Sequence, residues 1–418
     1  MEQPSILSDV LLRQLMAVGQ VDILVGLPTL NNASTVVEIA RAIYACFTRD
    51  FARQRTVMIN SDAGSSDGTP ELIRDASLTD GDVVQTSYSL RTLHRVVTPY
   101  HGLPGKHTAL RTLFAAAELT QARTLVVIDP TGPATTPHRV AELIAPIARA
   151  EVEFLAPRQR RHPRDGALIT QLVRPLIRAV YEVGLDEPLG AEFGCSGRFA
   201  SHCLERGIWA EDAARFAIDL WLRTEAVANH FAVGQIWRPA TTGGAATTLR
   251  QAVRQVFLSL VASLRAHASH WRNATDGATL RTWGAEPNGL PPAVDWDHTA
   301  LAQQARDDIA QIAPLLEGVL DPGLFARLKD DLGAPDSPLE DELWVRIVYA
   351  FLASTTRGPA SSEQMADMFV PIYMWRAARF MSQTADEPMD LVQARLDALC
   401  DTFQRLKPAL VSGWHGEG

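Results

Sequence analysis

The chain has 418 residues, which is long for one domain, and its 46% of hydrophobic residues can bury a sizeable core, so we expect two domains. Its 39 Lys and Arg residues against 48 Asp and Glu residues give a net charge of −9, which argues against a general nucleic-acid-binding protein. The first residues do not combine a basic segment with an apolar core, so we expect no signal peptide. No apolar run approaches the ~18 residues of a membrane span, so we expect a cytoplasmic protein without a membrane span. The four cysteines have no CxxC spacing, which predicts buried free thiols.

Strand and helix patterns alternate along the first half of the chain. The predicted strands cover residues 21–27, 56–60, 83–86, 124–128 and 153–156, and the predicted helices cover residues 33–47, 69–76, 106–119 and 137–150. The continuous, β-branched run at 124–128 is typical of a central buried strand. The alternation predicts an α/β sheet flanked by helices, whose ligands bind beyond the carboxyl ends of the strands.

The second half of the chain shows helical periodicity. Residues 249–270 form one predicted helix, residues 273–298 are rich in Gly, Pro, Asn and Asp and predict a linker or long loop, and residues 299–406 predict about five helices. Their breaks fall near residues 321–323, 333–338, 358–359 and 387–388. We therefore expect a first domain at residues 1–245 and an all-helical domain at residues 246–418.

Polar loops follow three of the predicted strands, at residues 28–32, 62–69 and 129–132. The second loop is acidic and rich in Gly and Ser, so it can accept hydrogen bonds from a base or sugar while its small residues let a ligand approach the backbone. Lys106 follows Pro104-Gly105 at the start of a predicted helix, where its charge and the helix N-terminus suit a diphosphate. The alternative for Lys106 is a solvated surface lysine.

These segments together resemble the motifs of GT-A-fold glycosyltransferases, in particular glucosyl-3-phosphoglycerate synthases and mannosylglycerate synthases. Residues 28–31 resemble the Pro-x-Leu-Asn motif, residues 62–69 the Asp-x-Gly-Ser-Thr-Asp-x-Thr loop, and residues 104–110 the Pro-Gly-Lys-Gly-x-Ala-Leu segment. Residues 187–192 resemble the Gln-Pro-Leu-Ser/Gly-Gly-Glu loop, and residues 216–219 a Gly-Ile-Asp or Val-Glu-Ile segment. The five segments keep the family's order, and mannosylglycerate synthase also carries a helical C-terminal region.

The resemblance implies a GT-A fold (a Rossmann-like mixed sheet flanked by helices) and the retaining transfer of a hexose from a nucleoside-diphosphate sugar to a small, anionic acceptor of the glycerate or phosphoglycerate type. Glu192 would bind the hydroxyls of the transferred sugar and Asp219 would lie on the acceptor side, as the catalytic pair. The implied donor-binding residues are Pro28, Leu30, Asn31, Asp62, Ser65, Lys106, Asp129, Leu189 and Gly190.

Three of the implied roles have structural alternatives. Arg160 and Arg161 lie in the basic stretch 158–164, which can bind an anionic acceptor through bidentate guanidinium forks or can be a solvated basic loop. Glu192 could be an exposed loop residue. Asp219 lies in an apolar helical stretch, where a carboxylate must pair or face a cleft, so a structural ion pair is an equal alternative.

The chain departs from the family at the divalent-metal site. The Asp-x-Asp motif, which would hold Mg²⁺ or Mn²⁺, reads Asp129-Pro130-Thr131, and a threonine hydroxyl is a poor replacement for a carboxylate. The family's late metal histidine has no counterpart in residues 237–244. Asp129 remains a candidate metal ligand; otherwise the charge of the leaving group would fall to Lys106, Arg238 or helix termini.

Two functions therefore stay open: a working transferase, and a nucleotide-sugar-binding protein that has lost its metal site and its catalysis. A sugar-phosphate nucleotidyltransferase is disfavoured, because residues 28–34 contain no glycine or basic residue. The expected partners are a nucleotide sugar and a small-molecule acceptor, not nucleic acid. The helical domain could complete the acceptor site or form a homodimer, and periodicity does not separate these two alternatives.

Overall fold

The computed structural model describes residues 6–75, 94–99, 106–132, 135–162, 167–206, 209, 212–239, 246–274, 277, 279–289, 297–357 and 360–415. The chain forms two compact units that alternate along the sequence. The first comprises Met1–Arg158, Gly190–Thr241 and Arg281–Glu286, and the second comprises Gln159–Leu189, Thr242–Leu280 and Pro287–Gly418.

An eight-stranded mixed sheet forms the centre of the first unit. Its strands are β1 (Ile23–Thr29), β2 (Thr56–Asp62), β3 (His94–Pro99), β4 (Thr124–Val127), β5 (Phe154–Gln159), β6 (Phe193–Ser196), β7 (Val233–Arg238) and β8 (Thr282–Trp283). They are ordered β3-β2-β1-β4-β6-β5-β7-β8. The pairs β1/β2, β1/β4 and β2/β3 are parallel, and β6 is antiparallel to both β4 and β5. The loops that follow β1, β2 and β4 therefore leave the same edge of the sheet, where ligands of open α/β sheets bind.

Helices of the first unit pack closely on the sheet. They are α1 (Asp9–Val18), α2 (Val36–Asp50), α3 (Thr69–Asp75), α4 (Lys106–Leu119), α5 (Pro137–Ala148), α7 (Gly197–Glu205) and α8 (Asp212–Ala228). A Cβ atom on Gly26 of β1 would lie 2.4 Å from a methyl carbon of Leu113 in α4, so a side chain there would displace the Leu113 side chain. The Thr136 hydroxyl accepts from the backbone N–H of Arg139, and this cap, with Pro137 at the first helical position, fixes the start of α5.

The second unit is built from helices. They are a π-helical segment (Ile169–Val173), α6 (Arg174–Tyr181), α9 (Ala246–Ala266), α10 (Ala268–Trp271), α11 (His298–Leu316), α12 (Pro322–Gly333), α13 (Asp341–Ser354), α14 (Ser362–Thr384) and α15 (Met389–Gly413). Helix α14 is buried on nearly all sides, as expected for the central helix of a bundle. Its Phe369 ring contacts Phe257, Phe351 and Trp344, at centroid distances of 4.8, 5.4 and 5.8 Å.

The α/β class, the mixed sheet flanked by helices and the helical character of the later chain are confirmed. Helix α4 has the predicted bounds, and the breaks predicted after residue 299 separate α11 to α15. The predicted strand at 83–86 lies outside the described residues. The expected domain boundary at residue 245 would put residues 159–189 in the first domain. These residues belong to the second compact unit, because helix α6 packs against α15. Strand β8 lies inside the predicted linker.

The helices in the described part of the chain do not combine the length and apolarity needed to cross a bilayer.

Candidate functional site

The loops after β1 and β2 are joined through the carboxylate of Asp62. The Thr29 hydroxyl donates to its Oδ1 at 2.9 Å, and the Ser65 hydroxyl donates to the same oxygen at 2.6 Å. The backbone N–H groups of Gly64 and Ser65 donate to Oδ2 at 2.9 and 2.8 Å. Asp62 is buried, and four donors use most of the acceptor capacity of a carboxylate. Asp62 therefore shapes this loop, and its direct contact with a ribose or base stays a prediction.

Asn31 adopts a left-handed conformation, with φ of 55°, at the tip of the loop after β1. Its Oδ1 accepts from the Ser66 N–H at 2.9 Å, and its own N–H donates to the Ser65 hydroxyl at 2.8 Å. The neighbouring Leu30 side chain is 54% exposed, whereas Pro28 is half-buried. An exposed leucine beside fixed polar groups can offer a planar base an apolar contact, and the donor-binding role of Leu30 and Asn31 stays a prediction.

The loop after β4 contains Asp129, the remaining candidate metal ligand. The Thr131 N–H and hydroxyl donate to its Oδ1 at 2.9 and 2.7 Å. The threonine of the altered motif therefore forms hydrogen bonds with the aspartate. The Thr35 hydroxyl donates to the Pro130 carbonyl at 2.8 Å and joins this loop to the start of α2. The loops after β1, β2 and β4 therefore form one connected polar edge.

Lys106 and Asp219 form an ion pair. Lys106 Nζ lies 2.7 Å from both carboxylate oxygens of Asp219, and the two side chains are 31% and 15% exposed. The ammonium also lies 3.5 Å from the carbonyl oxygen of Ala191. The residue predicted to bind the diphosphate and the residue predicted on the acceptor side are thus in direct contact. The preceding residues Pro104 and Gly105 lie outside the described part of the chain.

Glu192 lies in a second group of charges. Its Oε2 is 3.2 Å from Nε of Arg238, and Arg238 Nη1 is 3.4 Å from Oε2 of Glu142. The Glu192 side chain is 22% exposed, but protein atoms surround its carboxylate, and this burial raises its pKa above the usual 4.5. Arg238 opposes the increase, the charge of Asp129 adds to it, and the backbone N–H of Asp129 donates to the carboxylate and favours ionisation. Glu192 and Asp129 are therefore neighbours in one electrostatic cluster.

The contacts of Arg238 fix the Glu192 cluster against helix α5. Nη2 of Arg238 donates to the carbonyl oxygen of Arg139 at 2.8 Å, and burial lowers the pKa of this guanidinium. The sequence indicates Arg238 only as a source of leaving-group charge, and it does not single out Glu142 or Arg139. Their signal in the sequence is weak, because both lie in an ordinary amphipathic helix.

Arg223 in α8 is a further residue that the sequence interpretation missed. It is fully buried, and its guanidinium donates to the carbonyl oxygens of Gly190 at 2.6 Å and Asp219 at 2.7 Å. A basic residue one helical turn after Asp219, at the end of an apolar stretch, was the available signal. Of the predicted donor residues beside this contact, Gly190 is buried and Leu189 is half-buried.

The predicted acceptor residues differ in their surroundings. Nε and Nη2 of Arg161 donate to the two carboxylate oxygens of Glu187 at 2.6 and 2.9 Å, and the Glu187 side chain is 1% exposed. Arg160 is exposed, and Pro163 and Arg164 lie outside the described residues. The fork of Arg161 is thus engaged by a buried carboxylate, and Arg160 is the more accessible cation of the two.

The described residues at the strand edge do not fit a divalent cation. Among the described residues, no group of three or more His, Cys, Asp or Glu side chains could hold a metal ion. One oxygen of Asp129 accepts two hydrogen bonds from Thr131, and Glu192 is paired with Arg238. Because Mg²⁺ and Mn²⁺ sites need several oxygen ligands around the ion, no step of the chemistry is assigned to a metal.

Two structures of glucosyl-3-phosphoglycerate synthase from Mycobacterium tuberculosis are similar to this chain. The structure in complex with phosphoglyceric acid is 20% identical, with a TM-score of 0.43, and the match covers 64% of this chain and 86% of that chain. The complex with Mn²⁺, uridine diphosphate and glucosyl-3-phosphoglycerate is 20% identical, with a TM-score of 0.40, and the match covers 62% of this chain and 85% of that chain. No protein-family model and no curated protein matches the chain. A likeness at this level carries no argument about substrate or mechanism, which must come from the residues of the site.

Proposed function

We propose that this protein is a glycosyltransferase that moves a hexose from a nucleoside-diphosphate sugar to a small, anionic acceptor. The observation that carries the proposal is the connected polar edge of the first unit. There the loop after β4 lies beside Glu192, which pairs with Arg238, and Lys106, which pairs with Asp219, contacts the neighbouring Ala191. These are the groups that a nucleotide, its diphosphate and a sugar would each need.

The donor half of the proposal rests on Leu30, Asn31, Ser65 and Lys106. Leu30 would contact the base, and the polar loop formed by Asn31 and Ser65 would lie beside the ribose. The partly exposed Lys106 would neutralise the diphosphate, and that charge must be stabilised as the sugar leaves. Because Lys106 already binds Asp219, a diphosphate must compete with this carboxylate or share the lysine with it.

The transfer half of the proposal rests on Glu192 and Asp219. Burial raises the pKa of Glu192, so its carboxyl can hold a proton at a higher pH than an exposed glutamate and can donate to, or accept from, a sugar hydroxyl. Asp219, once released by Lys106, would become available to the acceptor. The motif resemblance to glucosyl-3-phosphoglycerate synthases favours retention at the anomeric carbon, with the leaving phosphate helping to deprotonate the acceptor. The exposed Arg160 favours an acceptor with a carboxylate or phosphate.

A nucleotide-sugar-binding protein without catalysis is the second candidate. The pairing of Lys106 with Asp219 and of Glu192 with Arg238 favours it, because both would-be catalytic carboxylates are neutralised by protein cations. The described residues also lack a metal-binding cluster. Both candidates use the same nucleotide pocket, and they differ in whether a sugar is transferred.

The test combines ligand binding with product formation. Thermal unfolding would be followed with a panel of nucleoside diphosphates and nucleotide sugars, with and without Mg²⁺ or Mn²⁺, since a ligand that binds the folded state raises its stability. The donor that stabilises the protein would then be incubated with glycerate and 3-phosphoglycerate, and glycosylated product would be sought by mass spectrometry. Stabilisation with product supports the transferase, stabilisation without product supports the binding protein, and no stabilisation by any nucleotide refutes both.

A further inference from the structure

Arg223 is a fully buried cation in the middle of the first unit. Its guanidinium lies 5.9 Å from the centroid of the Phe154 ring, and its side chain has no exposed surface. Burying a guanidinium is costly unless its donors are satisfied, so a residue of this kind must bring a compensating benefit in structure or function. The contacts of Arg223 indicate which benefit that is.

The guanidinium joins two backbone segments that carry the predicted catalytic carboxylates. Nη2 donates to the carbonyl oxygen of Gly190 at 2.6 Å and lies 3.3 Å from that of Glu192. Nη1 donates to the carbonyl oxygen of Asp219 at 2.7 Å. The planar fork of an arginine suits this task, because its donors keep a fixed geometry between two acceptors.

Lys106 makes a complementary set of contacts with the same two segments. Its ammonium contacts the carbonyl oxygen of Ala191 and the carboxylate of Asp219. Arg223 binds the carbonyl oxygens of Gly190, Glu192 and Asp219. Two cations therefore hold loop 190–192 against the turn of α8 that carries Asp219. Of the two, the partly exposed Lys106 can exchange partners with a ligand, and the fully buried Arg223 cannot.

We propose that Arg223 is a positioning residue, which keeps Glu192 and Asp219 at their working separation while Lys106 moves its charge to the donor diphosphate. This inference rests on the proposed function. Without Arg223, the departure of Lys106 from Asp219 would leave loop 190–192 free to shift. Small displacements of reacting groups slow the chemical step far more than they weaken substrate binding.

The test uses Arg223→Lys and Arg223→Gln, with Arg376→Lys as the matched control. Lysine keeps the charge but loses the fork, and glutamine keeps an amide donor. Arg376 is also buried and donates to Gln171 at 3.0 Å and Asp341 at 2.6 Å, but all of these residues belong to the second compact unit. The readouts are kcat, KM, the affinity for uridine or guanosine diphosphate by calorimetry, and hydrogen exchange of peptides that cover residues 187–199.

For Arg223→Lys we expect kcat to fall about tenfold to a hundredfold while the nucleoside diphosphate affinity changes less than about threefold. We also expect faster hydrogen exchange in residues 187–199, with peptides from β1 unchanged. The control should lose stability without either effect. A kcat that falls no further than in the control, or unchanged exchange in the loop, overturns the proposal. If both Arg223 variants fail to fold while Arg376→Lys folds, Arg223 is structural and the proposal is also overturned.

Failure of the proposed function would look different. Wild-type protein would then form no glycosylated product, whether or not it binds a nucleoside diphosphate, and the exchange of loop 190–192 would still report whether Arg223 holds it. A normal wild-type activity with no effect of Arg223→Lys would instead refute only the positioning role.

Discussion

Replacing Asp219 by asparagine should tighten the binding of a nucleoside diphosphate. The ammonium of Lys106 lies 2.7 Å from each oxygen of the Asp219 carboxylate, so a diphosphate that needs this cation must compete with a charge already in place. Asparagine is nearly the same size and can still accept one hydrogen bond, but it carries no charge. The substitution therefore removes the competitor and keeps the local packing.

The size of the gain follows from the exposure of the pair. Two unit charges 4 Å apart attract by about 1 kcal/mol in water and about 4 kcal/mol near a protein surface. Lys106 is 31% exposed and Asp219 is 15% exposed, so solvent screening and the entropy of an ordered lysine reduce the upper figure. We therefore take about 1–2 kcal/mol as the cost of freeing Lys106, which corresponds to a dissociation constant about 5 to 30 times smaller in Asp219→Asn.

Calorimetric titration with uridine and guanosine diphosphate measures the change in dissociation constant directly. Lys106→Ala should weaken binding by at least about 1 kcal/mol, because a charge-assisted hydrogen bond is lost. Asp219→Asn should give no gain in the Lys106→Ala background, since there is then no lysine to release. The control is Glu153→Gln, which removes a negative charge that is paired with Arg198 in the same unit and should leave the affinity unchanged.

Two results would refute this reasoning. Equal or weaker binding by Asp219→Asn would mean that a diphosphate does not displace Asp219 from Lys106. A gain of the same size in the Lys106→Ala background would mean that the effect is general electrostatic repulsion of the nucleotide by the aspartate.

The remaining predictions concern the pH dependence of stability, thiol reactivity and the basic stretch. Burial raises the pKa of Glu192, so ionisation of this carboxyl costs the folded state more than the unfolded chain. The free energy of unfolding of wild type should therefore fall relative to that of Glu192→Gln as the pH rises above 4.5, whereas the two free energies should differ by a constant amount at lower pH. Urea titrations across this pH range test the sign. The four cysteines are all buried, and burial raises their thiol pKa values, so a thiol reagent should modify none in the folded protein and all four after denaturation. Arg161→Ala should destabilise the fold by about 3–5 kcal/mol, because Glu187 would remain buried and unpaired. Replacement of the exposed Arg160 by alanine should destabilise the fold far less and should raise the KM of an anionic acceptor.

The sequence predicts best the helices whose hydrophobic periodicity extends over several turns and the buried strands that form a continuous apolar run. Helix α4 has its predicted bounds, and the helices after residue 298 are separated where Pro and Gly interrupt the periodicity. Strand β6 was missed because four residues, Phe193–Ser196, are too few to show a period. Strand β8 has two residues and is defined only by its pairing with β7, which is a contact distant in sequence.

The sequence names candidate site residues, whose roles stay predictions, but it does not indicate their contacts. The motifs indicate Lys106, Glu192 and Asp219, because each follows a recognisable loop or helix start. They do not indicate that Lys106 binds Asp219 or that Glu192 binds Arg238, since ion pairs between distant segments depend on the fold. Arg223 was missed for the same reason: its acceptors are backbone carbonyls, which leave no trace in the side-chain sequence.

The alternation of the two compact units along the chain limits the order in which the protein can fold during synthesis. Helix α6 leaves the ribosome more than two hundred residues before α15, the helix against which it packs. Residues 159–189 must therefore wait for the last helix, with apolar surface exposed in the interval. A fragment that ends at residue 245 and a fragment that begins at residue 246 each lack part of both units, so each should be recovered as aggregate when expressed alone and should regain solubility when the two are produced together.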